Sequence, residues 1–306
     1  MFDVALCAGG DPLWEAAFRR VLPGARLHLW PACPDSVDFA IVSKPPPALF
    51  THLRVCRAIF TLGAGVDALL AIPTLPRDIP IIRLEDAGMA IQMSEYVTLA
   101  VLRAYRETDH YARAQREQRW ARNARLNKSD FGVGFLGVGV LAQAVASTLR
   151  VFEFPMFGWS RSGKKVEGIA TFAGEAGLHA MLARSRVLVV LLPATPQTRG
   201  LVNGAKLSLL PTGAHVVNVG RGAVIVESDL LAMLDEGHLA SATLDVFDSE
   251  PLPADHRFWK HPKVTLTPHI AAMTMLHEAA DQVAQKMLAM LRNVPIGGVV
   301  DGNRGY

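Results

Sequence analysis

Gly134-Phe135-Leu136-Gly137-Val138-Gly139-Val140-Leu141-Ala142 closes one apolar run and opens a segment of helical character, which places G-x-G-x-x-A at positions 137–142. Each small residue has its own reason to be there. Gly137 permits a tight turn, Gly139 lets a pyrophosphate approach the backbone, and Ala142 lets the helix lie close on the strand. The helix entered at Val140 and Leu141 then offers unpaired N–H groups and the positive end of its dipole to phosphate oxygens. A glycine-rich strand end is common by itself. The strand before it, the helix after it and a second apolar run at 154–159 turn the motif into an expectation of dinucleotide binding.

Outward from this unit the same grammar repeats. Short runs rich in Val, Ile and Leu lie at 4–7, 39–43, 58–62, 79–84, 131–136, 154–159, 187–192, 214–219, 240–246 and 264–267, with longer mixed segments between them. Continuous apolar strands with helical spacers predict parallel sheets covered on both faces, and so a doubly wound α/β protein. The 306 residues are too many for one ordinary core, and at roughly 150 residues per domain they suit two. Between 92 and 120, Met93, Tyr96, Val97, Ala100, Val101, Ala104, Tyr105, Tyr111 and Ala112 follow an i, i+3, i+4 rhythm. That rhythm predicts one long amphipathic helix able to join two domains.

Several function classes are disfavoured by composition. Lys and Arg exceed Asp and Glu by only 31 − 28 = 3, too little to announce a polyanion partner. Arg113, Arg116, Arg119, Arg122 and Arg125 recur at every third position, but in an α-helix each such step falls about 60° short of a turn and the set would spread over roughly 240°. A solvated or subunit-facing role is expected of them, and no nucleic-acid partner. Cys7, Cys33 and Cys56 are odd in number and lack metal-ligand spacing, so neither a disulfide framework nor a metal site is expected, and a cytoplasmic setting fits. The longest uninterrupted apolar run, 131–142, has twelve residues where a membrane span needs about 20. The N-terminus has no basic residue ahead of its short apolar stretch and reads as a first strand.

The run ending at Trp159 leads into Ser160-Arg161-Ser162-Gly163-Lys164-Lys165, where an NAD site would offer Asp or Glu to the ribose hydroxyls. No carboxylate stands there. Arg161 lies 161 − 139 = 22 residues past Gly139, between the hydroxyls of Ser160 and Ser162, and suits a 2′-phosphate. NADP(H) is therefore the expected cofactor, with NAD(H) also usable; the bland alternative is an exposed loop arginine.

Three later stretches complete a pattern: Val217-Asn218-Val219-Gly220-Arg221-Gly222, then Leu244-Asp245-Val246-Phe247-Asp248-Ser249-Glu250-Pro251-Leu252-Pro253, then Thr267-Pro268-His269-Ile270-Ala271-Ala272. With the glycine motif they resemble the D-isomer-specific 2-hydroxyacid dehydrogenases, most of all the bacterial glyoxylate/hydroxypyruvate reductases of type A. The likeness runs nearly end to end, through Leu62-Gly63-Ala64-Gly65-Val66-Asp67, Arg83-Leu84-Glu85-Asp86-Ala87-Gly88-Met89 and the terminal Arg304-Gly305-Tyr306. It implies a Rossmann-type cofactor domain, 94–274, inserted into a flavodoxin-like substrate domain made of 1–93 and 275–306, with a cleft between them. It also implies a homodimer.

By the same resemblance Arg221, Glu250 and His269 are the catalytic arginine, glutamate and histidine, and their chemistry makes sense of the types. Reducing a 2-keto acid such as glyoxylate or hydroxypyruvate needs a proton donor at the carbonyl oxygen as hydride arrives, the natural task of an imidazolium. A carboxylate beside the ring favours that charged form and orients it. A forked, permanently charged arginine holds the substrate carboxylate and polarises the carbonyl. Apart from the family, each has a plain alternative as a strand-end histidine, a loop carboxylate and a turn arginine. The resemblance further assigns the backbones of Ala64 and Gly65 to the substrate carboxylate, and Leu192, Pro193, Thr198, Val219 and Asp245 to the cofactor. Ser43 stands where close relatives have Trp, which implies a wider or more polar pocket wall near Met89. Trp120 matches a residue that in some relatives reaches the neighbouring subunit. Two rivals stay open, a same-family enzyme for a larger 2-keto acid and a cofactor-sensing binding protein of the corepressor kind.

Overall fold

The N-terminal part comprises β1 (Phe2–Cys7), α1 (Pro12–Val21), β2 (Ala25–Leu29), β3 (Ser36–Val42), α2 (Leu49–His52), β4 (Arg54–Thr61), α3 (Asp67–Leu70) and β5 (Ile81–Ile82). Local chemistry starts α1 sharply: the Asp11 carboxylate accepts from Leu13 N–H, Pro12 occupies the first turn, and Glu15 and Arg19/Arg20 complement the two ends of the dipole. The five strands pair in the order β2-β1-β3-β4-β5, every pairing parallel. This is the flavodoxin-like doubly wound order, with its reversal between β1 and β3.

Next come α4 (Met89–Tyr105), α5 (Thr108–Arg116), β6 (Val133–Leu136), α6 (Val140–Leu149), β7 (Met156–Trp159), β8 (Ala170–Phe172), α7 (Gly174–Leu182), β9 (Val187–Val190), α8 (Gly204–Leu207), β10 (Ala214–Asn218), α9 (Glu227–Asp235), β11 (Leu239–Leu244) and β12 (Val264–Leu266). A last helix, α10 (Leu276–Leu291), packs back against α1. The computed structural model describes residues 1–124 and 126–302; Arg125 and the Arg304-Gly305-Tyr306 end lie outside the described residues. Contacts divide the protein into two compact units, Met1–Met89 with the segment from Thr274 onward, and Ala90–Met273.

The larger unit carries a second parallel sheet, ordered β12-β11-β10-β9-β6-β7-β8. Its central strands are apolar on both faces for a visible reason. Val133, Phe135, Val187, Val189 and Val217 join one core with Val97 and Val101 of α4 and Val145 of α6. Their neighbours Leu136, Leu188, Val190 and Val216 join another with Met181 of α7 and Leu230 and Leu234 of α9. The order reverses between β6 and β9, and in open sheets of this kind ligands bind outside the carboxyl ends of the strands at such a reversal.

Three sequence expectations change. Residues 92–120 do not form one helix: α4 ends at Tyr105, Glu107 adopts a left-handed φ of 52°, and α5 stops at Arg116. The break is held by polar contacts, with Arg103 paired to Asp109 at 2.6 Å and Asn123 donating to Glu107 at 3.0 Å. Arg119 and Arg122 therefore lie beyond the helix, Arg119 paired with Glu117 at 2.5 Å. Strands β2 and β8 carried no continuous apolar run, because each is an edge strand buried on fewer sides. The run at 79–84 contributes only Ile81–Ile82 to the sheet, since Pro80 has no N–H to give the ladder.

Candidate active site

The residues expected to act in the larger unit gather at one edge of its sheet, because each follows a parallel strand at its carboxyl end. Gly137 and Gly139 follow β6, Ser160, Arg161 and Ser162 follow β7, Leu192, Pro193 and Thr198 follow β9, Val219 and Arg221 follow β10, Asp245 and Glu250 follow β11, and His269 follows β12.

At the first turn, Gly137 sits at φ 101°, a conformation that only glycine adopts without strain, and its N–H donates to Trp159 C=O at 2.9 Å. Gly139 is the N-cap of α6, and the helix start there receives no side-chain cap. A Cβ added at Gly139 would meet nothing within 4 Å. An uncapped helix start beneath open space is what a dinucleotide phosphate requires, so these residues fit the cofactor that the motif implies. Val140 at the first helical position is 51% exposed, an apolar surface beside that space, and Leu141 follows it half-buried.

Ser160, Arg161, Ser162 and Gly163 form a tight turn in which Gly163 N–H returns to Ser160 C=O at 3.2 Å and Ser160 Oγ accepts from Lys164 N–H at 3.1 Å. Arg161 and Ser162 are both exposed at this turn. The loop after β9 is knotted on Thr198, whose hydroxyl donates to Pro193 C=O at 2.6 Å and accepts from Thr195 N–H at 2.8 Å. Thr198 thereby shapes the loop that carries Leu192 and Pro193.

The turn after β10 is built by backbone against backbone. A Cβ on Gly220 would lie 2.7 Å from Leu192 O, and one on Gly222 only 1.8 Å from the carbonyl carbon of Phe247. Buried Asn218 ties it, donating to Arg221 C=O at 3.1 Å and accepting from Gly220 N–H at 3.2 Å. Arg221 Nη1 donates to Gly220 C=O at 2.7 Å, and the residue is partly exposed.

His269 and Glu250 meet at this edge: Nδ1 of the ring lies 2.7 Å from Oε2 of the carboxylate. The other oxygen, Oε1, accepts from Phe247 N–H at 3.0 Å. One bond thus fixes the carboxylate and the other turns the ring, leaving Nε2 as the nitrogen that Glu250 does not engage. Both side chains stay partly open, 46% for His269 and 35% for Glu250, so the pair is reachable by a small molecule. The loop bearing Glu250 is held from outside as well. Glu227 Oε1 accepts from Asp248 N–H at 3.1 Å, and Arg199 pairs with Asp248 at 3.1 Å.

Asp245, expected beside the cofactor, is 1% exposed and both its oxygens accept hydrogen bonds from the 267–271 turn. In the smaller unit Ser43 follows β3 and Ala64 and Gly65 follow β4, all partly exposed at the carboxyl edge of that sheet. Met89 is 3% exposed, and Trp120 is 91% exposed in the coil after α5. Asn218, Thr267 and Glu227 lay within or near the quoted motifs without a role; only their partners reveal one.

Residues 98–271 match the family model described as D-isomer specific 2-hydroxyacid dehydrogenase, NAD binding domain. A glyoxylate/hydroxypyruvate reductase A of Serratia proteamaculans is 44% identical over 299 residues, 96% of each protein. The chain belongs to the D-isomer-specific 2-hydroxyacid dehydrogenases. It is thus an oxidoreductase by family, with an NAD-type cofactor domain. Among solved structures it is similar to a family member from Xanthobacter autotrophicus Py2 in complex with NADPH and MES, at 38% identity and TM-score 0.94, covering 100% of this protein and 99% of that one. It is also similar to an NADPH-dependent glyoxylate/hydroxypyruvate reductase from Sinorhizobium meliloti in complex with NADP and sulfate, at 36% identity and TM-score 0.93, covering 100% of both. Among the described residues of this 2-hydroxyacid dehydrogenase no helix is long and apolar enough to cross a membrane.

Proposed function

We propose that the protein reduces small 2-keto acids, glyoxylate and hydroxypyruvate among them, to 2-hydroxy acids, with NADPH preferred over NADH. The observation that carries this is the 2.7 Å pairing of His269 with Glu250 at the carboxyl edge of a dinucleotide-binding sheet. The cofactor would be held by Gly137, Gly139, Val140, Leu141, Ser160, Arg161, Ser162, Leu192, Pro193, Thr198, Val219 and Asp245, and when bound it supplies hydride to the carbonyl carbon. His269 is the general acid: with Nδ1 committed to Glu250, Nε2 delivers the proton to the carbonyl oxygen as it gains charge. Glu250 stabilises the imidazolium, and Arg221 holds the substrate carboxylate. The backbones of Ala64 and Gly65, and Ser43, Met89 and Trp120, are assigned to substrate on family resemblance alone, which also gives residues 1–93 and 275–306 to a substrate domain and 94–274 to a cofactor domain. The preference for NADPH is supported by the absence of a carboxylate from the Ser160–Lys165 turn that carries Arg161, and by the NADPH and NADP complexes of the two relatives.

A homodimer in the cytoplasm completes the proposal. It is supported by exposed Ile91 and Leu99 on α4 with exposed Trp120, and by three free thiols. Initial rates over a panel of 2-keto acids, each with NADPH and NADH, test the whole. Pyruvate should far exceed its decarboxylated analogue acetaldehyde, and His269→Gln should lower kcat by about 10²–10⁴-fold with folding intact. Equal use of acetaldehyde would refute the carboxylate clamp, and undiminished kcat in the histidine variant would refute the acid.

A further inference from the structure

His269 has a left-handed backbone, φ 58°, which a residue bearing a Cβ keeps only where its surroundings hold it there. The holder is Asp245. Its carboxylate accepts from Ile270 N–H and Ala271 N–H, both at 2.8 Å, while its backbone carbonyl accepts from His269 N–H at 2.8 Å. Three consecutive residues, with His269 first, are therefore tied to a single buried aspartate.

A fourth bond reaches that aspartate from the end of β12. The Thr267 hydroxyl donates to Asp245 Oδ1 at 2.6 Å, which commits its only proton. Thr267 Oγ1 also lies 2.6 Å from the hydroxyl of Tyr96 on α4, so in that contact the phenol must be the donor. Burial pushes the Tyr96 phenol up from its ordinary value, which keeps the proton on oxygen. A series of donors therefore runs in one direction, from helix to threonine to aspartate, and such series polarise each member in turn.

We propose that Tyr96 and Thr267 are positioning residues of the reductase, the relay Tyr96–Thr267–Asp245 locking the turn that aims His269 at Glu250. The role given to His269 rests on the proposed 2-keto acid reduction, which the relay deepens. Tyr96 thereby has a task besides packing: α4 anchors the acid of the site from a point 171 residues away in sequence from Thr267.

The test compares Tyr96→Phe, Thr267→Val and Thr267→Ser in the full-length protein. Expected is a fall in kcat of about 3–10-fold for Tyr96→Phe and about 10–100-fold for Thr267→Val, since sub-ångström misplacement of a reacting group costs this order. The KM for keto acid and the Kd for NADPH, read by fluorescence titration, should stay within about twofold, and Thr267→Ser, which keeps the hydroxyl, should restore kcat. A second readout needs no turnover: the ring ¹⁵N signals of His269, assigned by their loss in His269→Gln, should move in Tyr96→Phe and Thr267→Val and return in Thr267→Ser. Unmoved ring signals with unchanged kcat would overturn the relay, as would a loss of NADPH affinity that accounts for the whole loss of rate. Moved signals in a protein that reduces no 2-keto acid would sink the reductase assignment and leave the relay standing.

Discussion

Gly139 and Gly222 occupy two turns at the same edge of the larger sheet, one after β6 and one after β10. Around Gly139 an added Cβ would find open space, while at Gly222 it would collide with the backbone of Phe247 at 1.8 Å from carbon and 2.2 Å from oxygen. The first glycine borders the space that the proposed cofactor's phosphates would take. The second lets two segments of the protein itself touch, and so brings the strand ends that carry Arg221 and Glu250 together. The same residue type therefore leaves open space in one place and lets backbone meet backbone in the other.

The most damaging substitution should fall on the second turn. Gly222→Ala should destabilise the fold by about 4 kcal/mol or more, because backbone does not step aside as a side-chain tip does; thermal unfolding checks it, and a Tm close to wild type would end the distinction between the two glycines. Next comes acid sensitivity on the strand that feeds this turn. Loss of hydration, and then nearby Arg186, hold His215 down to about 4 from an ordinary 6.5. The unfolded state thus binds a proton that the folded state refuses. The stabilisation is complete above pH 6.5 and is lost as pH falls through 4, a change of about 3 kcal/mol that His215→Gln should remove in denaturant titrations across that window. Asp3 and Asp235, held low by Arg26 and Arg257, lose their contributions only at lower pH, within and below the ordinary carboxylate range.

Milder changes probe the open side. Arg161→Ala should abolish a preference for NADPH over NADH of roughly 10–150-fold in kcat/KM, the worth of one charge-assisted contact, while NADH kinetics stay nearly unchanged. Equal weakening of both cofactors would show that this turn does not read the 2′-phosphate. Gly139→Ala should leave Tm almost where it was, since the new methyl meets no protein atom, and raise the Kd for NADPH about tenfold through contact with the bound phosphates. A large drop in Tm would mean that the space over Gly139 belongs to the fold after all.

Much of this was legible in the amino-acid order because it is periodic or local. Valine-rich runs spaced by helical segments read as buried parallel strands, and the doubly wound sheets follow from them. The glycine motif is equally local: Gly137 and Gly139 act within one strand–turn–helix. What periodicity misjudged were places where polar contacts override it. The rhythm of 92–120 runs on past Glu107, but the pairing of Arg103 with Asp109 and the left-handed Glu107 divide the helix. Edge strands β2 and β8 carried too little burial to leave a pattern.

The residues of the site divide along the same line. Which side chains suit the proposed chemistry came from motifs that resemble the family's, an imidazole, a carboxylate and a guanidinium being the types that reducing a keto acid calls for. Their separations in sequence, 19 residues between Glu250 and His269 and 171 between Tyr96 and Thr267, lie beyond any helical or strand repeat. The two sheets and the glycine turn could be read before any folding was known, because each depends on neighbours along the polypeptide, while the chemistry expected of the site came from motifs that resemble a family. That Glu250 faces Nδ1, that Gly222 lies against Phe247 and that Asp245 gathers Thr267, Ile270 and Ala271 had to wait for the folded molecule. Those contacts arise where strand ends from distant segments converge, and hydrogen-bond direction and close backbone approach exist only once the strands are side by side.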